Sequence, residues 1–186
     1  MSFLSNFREA YGQEAAWAMV SVPSGISKHA TIPELVERLT LFHRDCFLEF
    51  LPRIEADLAS VQKASEKHPL FMAALTLGMK ALKDDLRVHF LYEETNLYPY
   101  ALALFNRDTR LPDYNCDKFL SEHPVFRINF SDLLSLMQKF ASDFSDHFAY
   151  RILHQRLRGW NDEFAAHEAL EDFDLIARLR SIELSR

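Results

Sequence analysis

The stretches that decide the fold are residues 84–94, DDLRVHFLYEE, and residues 162–172, DEFAAHEALED. Each runs acid pair, histidine, acid pair. The first holds Asp84, Asp85, His89, Glu93 and Glu94; the second holds Asp162, Glu163, His167, Glu171 and Asp172. In each, an imidazole and a carboxylate stand four residues apart, which on a helix puts both on one face about one turn apart. A further histidine precedes each motif, His43 by 46 residues and His123 by 44. A chain that does this twice is expected to build one site from two similar halves.

Outward from these stretches the apolar residues keep the 3.6-residue period of helices. Helix A is expected from Thr31, an N-cap with Pro33 in the first turn and Glu34 three residues on, to about Ala64. Its apolar face carries Leu35, Leu39, Phe42, Cys46, Phe50 and Ile54. Helix B is expected from about Leu70 to Phe105, with Pro99 kinking it or marking its last turns. Helix C covers about Lys118 to Ala141, and helix D runs over roughly 147–182 with Gly159 as a weak point. No strand alternation survives this reading. Four long helices with mostly short connections predict an all-α, antiparallel up-down-up-down four-helix bundle over residues 31–186. Residues 1–30 read as an added N-terminal amphipathic helix and linker. Phe3, Phe7, Tyr11 and Ala15 stand at helical spacing there, and Val22-Pro23-Ser24-Gly25 ends the pattern. In an antiparallel bundle the starts of A and C are level with the ends of B and D. All four histidines then fall in one layer.

Composition agrees. The 186 residues are one domain's worth, and helix formers dominate while only four glycines occur. Sixteen phenylalanines predict a core rich in rings. The net charge of −6 is spread along the chain without a basic stripe, which argues against nucleic acid as a partner. No apolar run approaches the length of a membrane span and no stretch reads as a secretory signal, so a cytoplasmic protein is expected. Cys46 and Cys116 lie seventy residues apart in unlike contexts and read as two reduced thiols.

Four histidines and two carboxylates converging in a helical core are the donor set of a transition-metal pair, iron first, with manganese or zinc as alternatives. The expected ligands are His43, His89, Glu93, His123, His167 and Glu171, with Glu93 and Glu171 as bridges and an oxo or hydroxo group between the ions. Six protein ligands for two ions leave positions open, which suits a reactive or labile site rather than a closed structural one. Asp85 and Glu163, one turn before the ligand histidines, are expected to orient them or to face solvent. Glu122 and Glu168, each next to a ligand histidine, are placed either near the metals or, as the favoured reading, in ordinary helix-surface roles, and Tyr92, Tyr98 and Tyr100 in packing rather than redox roles. His29, His68, His147 and His154 are not expected to be ligands; the last two precede His167 by 20 and 13 residues, roughly 30 and 20 Å along a helix.

These motifs, with IPELVERLTLFHRDCFLEFLP and SEHPVFRINF in the same order, resemble the hemerythrin-like (HHE cation-binding) family over about residues 31–180. The closest resemblance is to its di-iron members that repair iron centres. The resemblance implies that the same four histidines and two glutamates hold two irons. It also implies a role in nitrosative or oxidative stress, binding nitric oxide or donating iron to iron–sulfur centres. Two departures stand out. Oxygen-carrying members place a second histidine one turn after the first on the third helix, where this chain has Arg127. Repair-type members often carry a cysteine-bearing N-terminal domain, which is absent here. Ferritin-type Glu-x-x-His pairs and the HExxH signature are absent too. Competing expectations are an oxygen or nitric oxide sensor without catalysis, a di-iron oxidase or peroxidase-like enzyme, and a bundle with no physiological metal.

Overall fold

A computed structural model describes residues 30–64, 68–108, 114–124 and 129–185. The expected helix within residues 1–29, and Arg127, lie outside the described residues. Among the described residues the chain is all helix, without a strand.

The first rod joins α1 (Ile32–Asp45) to α2 (Leu51–Ala64) through a π-helical stretch, Cys46–Phe50. Its start is the expected capping box: the Thr31 hydroxyl accepts from the Glu34 backbone N–H, and the Glu34 carboxylate accepts from the Thr31 N–H at 2.6 Å. The second rod joins α3 (Pro69–Tyr92) to α4 (Tyr98–Phe105) through another π-helical stretch, Glu93–Leu97. Pro99 explains its position. Lacking an N–H and crowding the carbonyl four residues back, proline disfavours a regular turn there. The wider turn lets the Tyr98 N–H reach the Glu93 carbonyl. Carbonyls displaced by the widening are taken by side chains: Thr95 Oγ1 donates to Leu91 O at 2.7 Å and Asn96 Nδ2 to Tyr92 O at 2.9 Å.

The third expected helix is broken. α5 (Cys116–Glu122) and α6 (Phe130–Lys139) are separate, with His123 extended at φ −57°, ψ 125°. Pro124 follows His123, and the residue before a proline is disfavoured in the α region, so the helix must stop there. Each piece has its own cap: Asn115 accepts from the Lys118 N–H at 2.8 Å, and Asn129 forms a capping box with Asp132. The last rod joins α7 (Phe148–Leu170) to α8 (Ala177–Leu184) through a third π-helical stretch, Glu171–Ile176. It runs through Gly159 without a break.

Packing brings α1 against α4 and against the Glu171–Ile176 stretch, and α2 against α7. α6 lies on α3 and α7, and α5 lies on the Glu93–Leu97 stretch. The apolar faces gather into two clusters. One contains Ile54, Leu58, Phe71, Leu75, Leu82, Leu133, Leu153 and Trp160. The other contains Leu35, Leu39, Leu97, Leu104, Phe119, Leu175 and Leu179. Along the first, second and last rods, the residues that fall between the two clusters are His43, His89 with Glu93, and His167 with Glu171. They form a buried polar slab between two apolar halves.

Candidate metal centre

All six expected ligands meet in that slab. Glu93 is its hub, fully buried. One of its oxygens, Oε2, is 3.0 Å from His43 Nε2 and 3.9 Å from His167 Nε2; the other, Oε1, is 2.8 Å from His89 Nε2 and 3.0 Å from His123 Nε2. The two carboxylate oxygens thus address two different histidine pairs. The pairs do not follow the sequence repeat. His43 and His167, from opposite halves of the chain, face each other at 3.3 Å between Nε2 atoms, and His89 lies tilted beside His123 with ring centroids 4.4 Å apart. Glu171 completes the set beside Glu93 and His167.

Phenylalanines hold the imidazole planes. His43 stacks on Phe90 at 3.8 Å and 7°, His167 on Phe42 at 4.5 Å and 16°, and Phe119 lies 4.4 Å from His123. Phe42 and Phe90 each adjoin a ligand histidine in sequence, so one helical turn supplies both a donor and the wall for a neighbouring donor. Outside the slab, His43 Nδ1 lies 2.8 Å from Glu94 Oε1. A carboxylate only accepts, so this contact suits a proton on Nδ1 and leaves Nε2 as the nitrogen that faces the cluster, the arrangement a metal-ligating histidine uses.

Three side chains take roles other than those expected. Glu94, which the spacing gave no role, orients a ligand histidine. Glu168 is not confined to the surface: its Oε1 lies 3.0 Å from His89 Nε2. Tyr98 is more than packing, since its hydroxyl is 3.2 Å from both His43 Nε2 and Glu93 Oε2. All three lie one residue after a ligand or five after one, positions where helical periodicity alone points away from the site. The sequence signal available was their adjacency to the motifs. Glu122 keeps its outer role, accepting from the Tyr92 hydroxyl at 3.2 Å. Both cysteines are free thiols and buried, and burial pushes each up to about 12.

The electrostatics are those of a cluster short of positive charge. Burial pushes the Glu93 carboxyl up, but His123, His167, His43 and His89 together hold it well below the usual carboxylate range. Burial pushes His89 down, and hydrogen bonds to Glu168 and Glu93 override it, raising the ring to about 10. Burial outweighs Glu93 at His167, which is lowered and stays neutral. Glu171 goes the other way, raised well above its ordinary value by burial and by the charges of Glu93 and Glu168. Asp172, just outside, is raised to about 6 by burial and by Glu168.

The donor chemistry fits a cation. His43, Glu93 and His167 form one group whose donor atoms lie within 4.8 Å of one another; His89, Glu93 and His123 form a second, and Glu93, His167, Glu168 and Glu171 a third. Glu171 Oε1 and His167 Nδ1 have no hydrogen-bond partner despite their burial. A buried acceptor without a donor costs about 1–3 kcal/mol, more for a charged group. A metal ion is what satisfies a carboxylate oxygen aimed into such a cluster. The π-helical stretches agree, because such widened turns cluster at functional sites. Two of the three begin at Glu93 and at Glu171, and the third begins three residues after His43.

Comparison with known proteins brings nothing to this picture: no family model, no curated protein and no solved structure matches the chain.

Proposed function

We propose that this chain is a non-haem di-iron protein of the hemerythrin-like kind, with its rods arranged as an up-down-up-down bundle around the centre. In this reading it acts in nitrosative or oxidative stress, binding nitric oxide and giving up iron for repair of iron–sulfur centres. The observation that carries the dinuclear reading is the geometry of Glu93: two oxygens, each facing its own pair of buried histidines. The bundle is supported by the packing of α1 against the ends of the second and last rods, and of α2 against α7.

His43 and His167 would hold one ion, His89 and His123 the other, with Glu93 between them and Glu171 at the His167 side. Iron in an imidazole and carboxylate set supplies redox chemistry and binding of small ligands at open positions. The chain's own residues do the rest. Glu94 fixes the His43 ring, the phenylalanines exclude water from the apolar flanks, and the Tyr98 hydroxyl stands beside two ligand atoms on the His43 side. Imidazole and carboxylate without a thiolate suit a centre that can be emptied. No described helix is long and apolar enough to cross a membrane, which is compatible with the cytoplasmic setting we propose.

Iron reconstitution tests the reading. Two irons per chain are expected, with a visible absorption band in the ferric state that Glu93→Ala abolishes. After reduction at least one iron should become available to a chelator, and the reduced protein should bind nitric oxide. Failure to retain iron beyond the level of a Glu93→Ala variant overturns the metal reading. Retention of both irons against a strong chelator, together with reversible gas binding, replaces iron donation by sensing.

A further inference from the structure

The six ligands leave Glu168 unassigned, although it lies closer to a ligand nitrogen than a surface residue should. Its Oε1 is 3.0 Å from His89 Nε2, the same nitrogen that Glu93 Oε1 approaches at 2.8 Å. Donors bound to one ion at about 2.0–2.2 Å stand roughly 3 Å from one another, so the pair that shares a hydrogen bond in the metal-free site is already at the spacing of two ligands on one cation. Glu168 also lies near Glu93, His167 and Glu171, but its hydrogen-bond contact to a ligand nitrogen is with His89, which assigns it to the His89 and His123 side. We propose that Glu168 is a seventh protein ligand, a third carboxylate held by the ion at His89 and His123. This inference rests on the two-ion reading above.

Exposure gives the ligand a second consequence. The side chains of His43, His89, Glu93 and His167 are 0–2% exposed, whereas Glu168 is 26% and His123 17% exposed. The two accessible donors both belong to the His89–His123 side. Solvent, chelators and incoming ions therefore meet that ion first, and Glu168 is the ligand at the mouth. A carboxylate on one exposed side chain can release while the buried donors keep their places. The ion at His89 and His123 is then the exchangeable one, and Glu168 sets how fast it leaves. The ion at His43 and His167, walled by Phe42 and Phe90, is the retained one.

The test uses the full chain loaded with ferrous iron under anaerobic conditions and, in parallel, with redox-silent zinc. Wild type, Glu168→Gln and Glu168→Ala are compared for metal content and for the time course of removal by excess chelator. Glutamine keeps the size and the helical environment, so a folded variant is secured even if alanine disturbs packing. Both variants should still bind two ions, and one ion should leave about tenfold faster or more, the lower end of what loss of even an outer partner of a metal site costs. The slower ion should keep its wild-type rate. Unchanged removal of both ions in the two variants overturns the assignment, and so does equal acceleration of both, which would place Glu168 on no single ion. If wild type itself fails to take two ions, it is the two-ion reading that falls, an outcome distinct from either of these.

Discussion

Glu171 shows how a single residue can be read as functional from its cost. Its carboxyl is 1% exposed, one oxygen has no partner, and its neighbours Glu93 and Glu168 are also acids. Nothing in the packing of a metal-free helix layer requires an acid there. The folded-state value is raised above the ordinary 4.5, so the contribution of this group is fully present below 4.5 and is lost as pH rises through the raised value. A neutral isostere escapes that loss. In metal-free protein Glu171→Gln should therefore raise Tm at pH 8 by about 2 °C or more, the shift that follows from roughly 1 kcal/mol in a chain of this size. The gain should shrink toward pH 4.5, where the wild-type carboxyl is itself protonated. Thermal melts of both proteins across that range check it, and an unchanged or lower Tm at pH 8 would show that Glu171 is well accommodated without metal. The same variant should lose metal. At this scale the four-residue spacing of histidine and glutamate picked four residues, and the matched upstream histidines added His43 and His123, to give six that converge. The spacing could not show that Tyr98 and Glu94 also reach the cluster, and it raised Glu168 only as the less favoured reading, since each lies roughly 100° or more around its helix from the obvious face. Their approach depends on which rods flank them.

Elements were legible to differing degrees, for physical reasons. α1 announced itself through the Thr31 and Glu34 box, and the long apolar period of α3 and α7 survived into the structure. The continuous third helix did not. Pro124 carried the signal, but the apolar period on both sides of it invited a reading straight through. The break leaves His123 as a C-cap residue in extended conformation, which turns its ring toward His89 and Glu93 rather than along a helix face. The π-helical stretches were hard to see beforehand, because one extra residue per turn leaves no compositional mark except the prolines at 52 and 99, each two residues past the end of a stretch, and the third stretch has not even that. Gly159 is a different case. It lies within α7, is exposed, and a Cβ built there meets nothing within 4 Å. Glycine inside a helix costs about 0.8–1.0 kcal/mol relative to alanine. Gly159→Ala is therefore expected to stabilise the fold by up to about 1 kcal/mol without changing metal content. Chemical denaturation with an unaltered slope would establish this, and a destabilised variant would mean that α7 bends at this point in use.

On the scale of the whole molecule, the centre is a polar slab clamped between two apolar clusters, and that arrangement was deducible from antiparallel levels alone. Which histidines pair across it was not, because the repeat suggests pairing within halves while the packing of α1 on the last rod brings His43 to His167. The clamp makes metal loading a property of the entire fold. An ion that binds only the folded chain stabilises it by mass action, and it must displace whatever protons the donors hold. His89, raised to about 10 by Glu168 and Glu93, carries a proton at neutral pH, and Glu171 is shifted in the same direction. Loading at pH 7 should thus release at least one proton per chain from His89, with Glu171 adding to it. Apparent affinity must rise with pH across the range in which those protons are held, since the proton competes with the metal for the same atom. Calorimetric titration of the metal-free protein with zinc, in buffers of different ionisation enthalpy at one pH, counts the protons directly. Glu168→Gln should lower the count, because removing that carboxylate takes away part of what holds the proton on His89. Zinc binding with no dependence on buffer would show that the donors are already deprotonated, and that His89 meets the metal as the neutral ring found at His167.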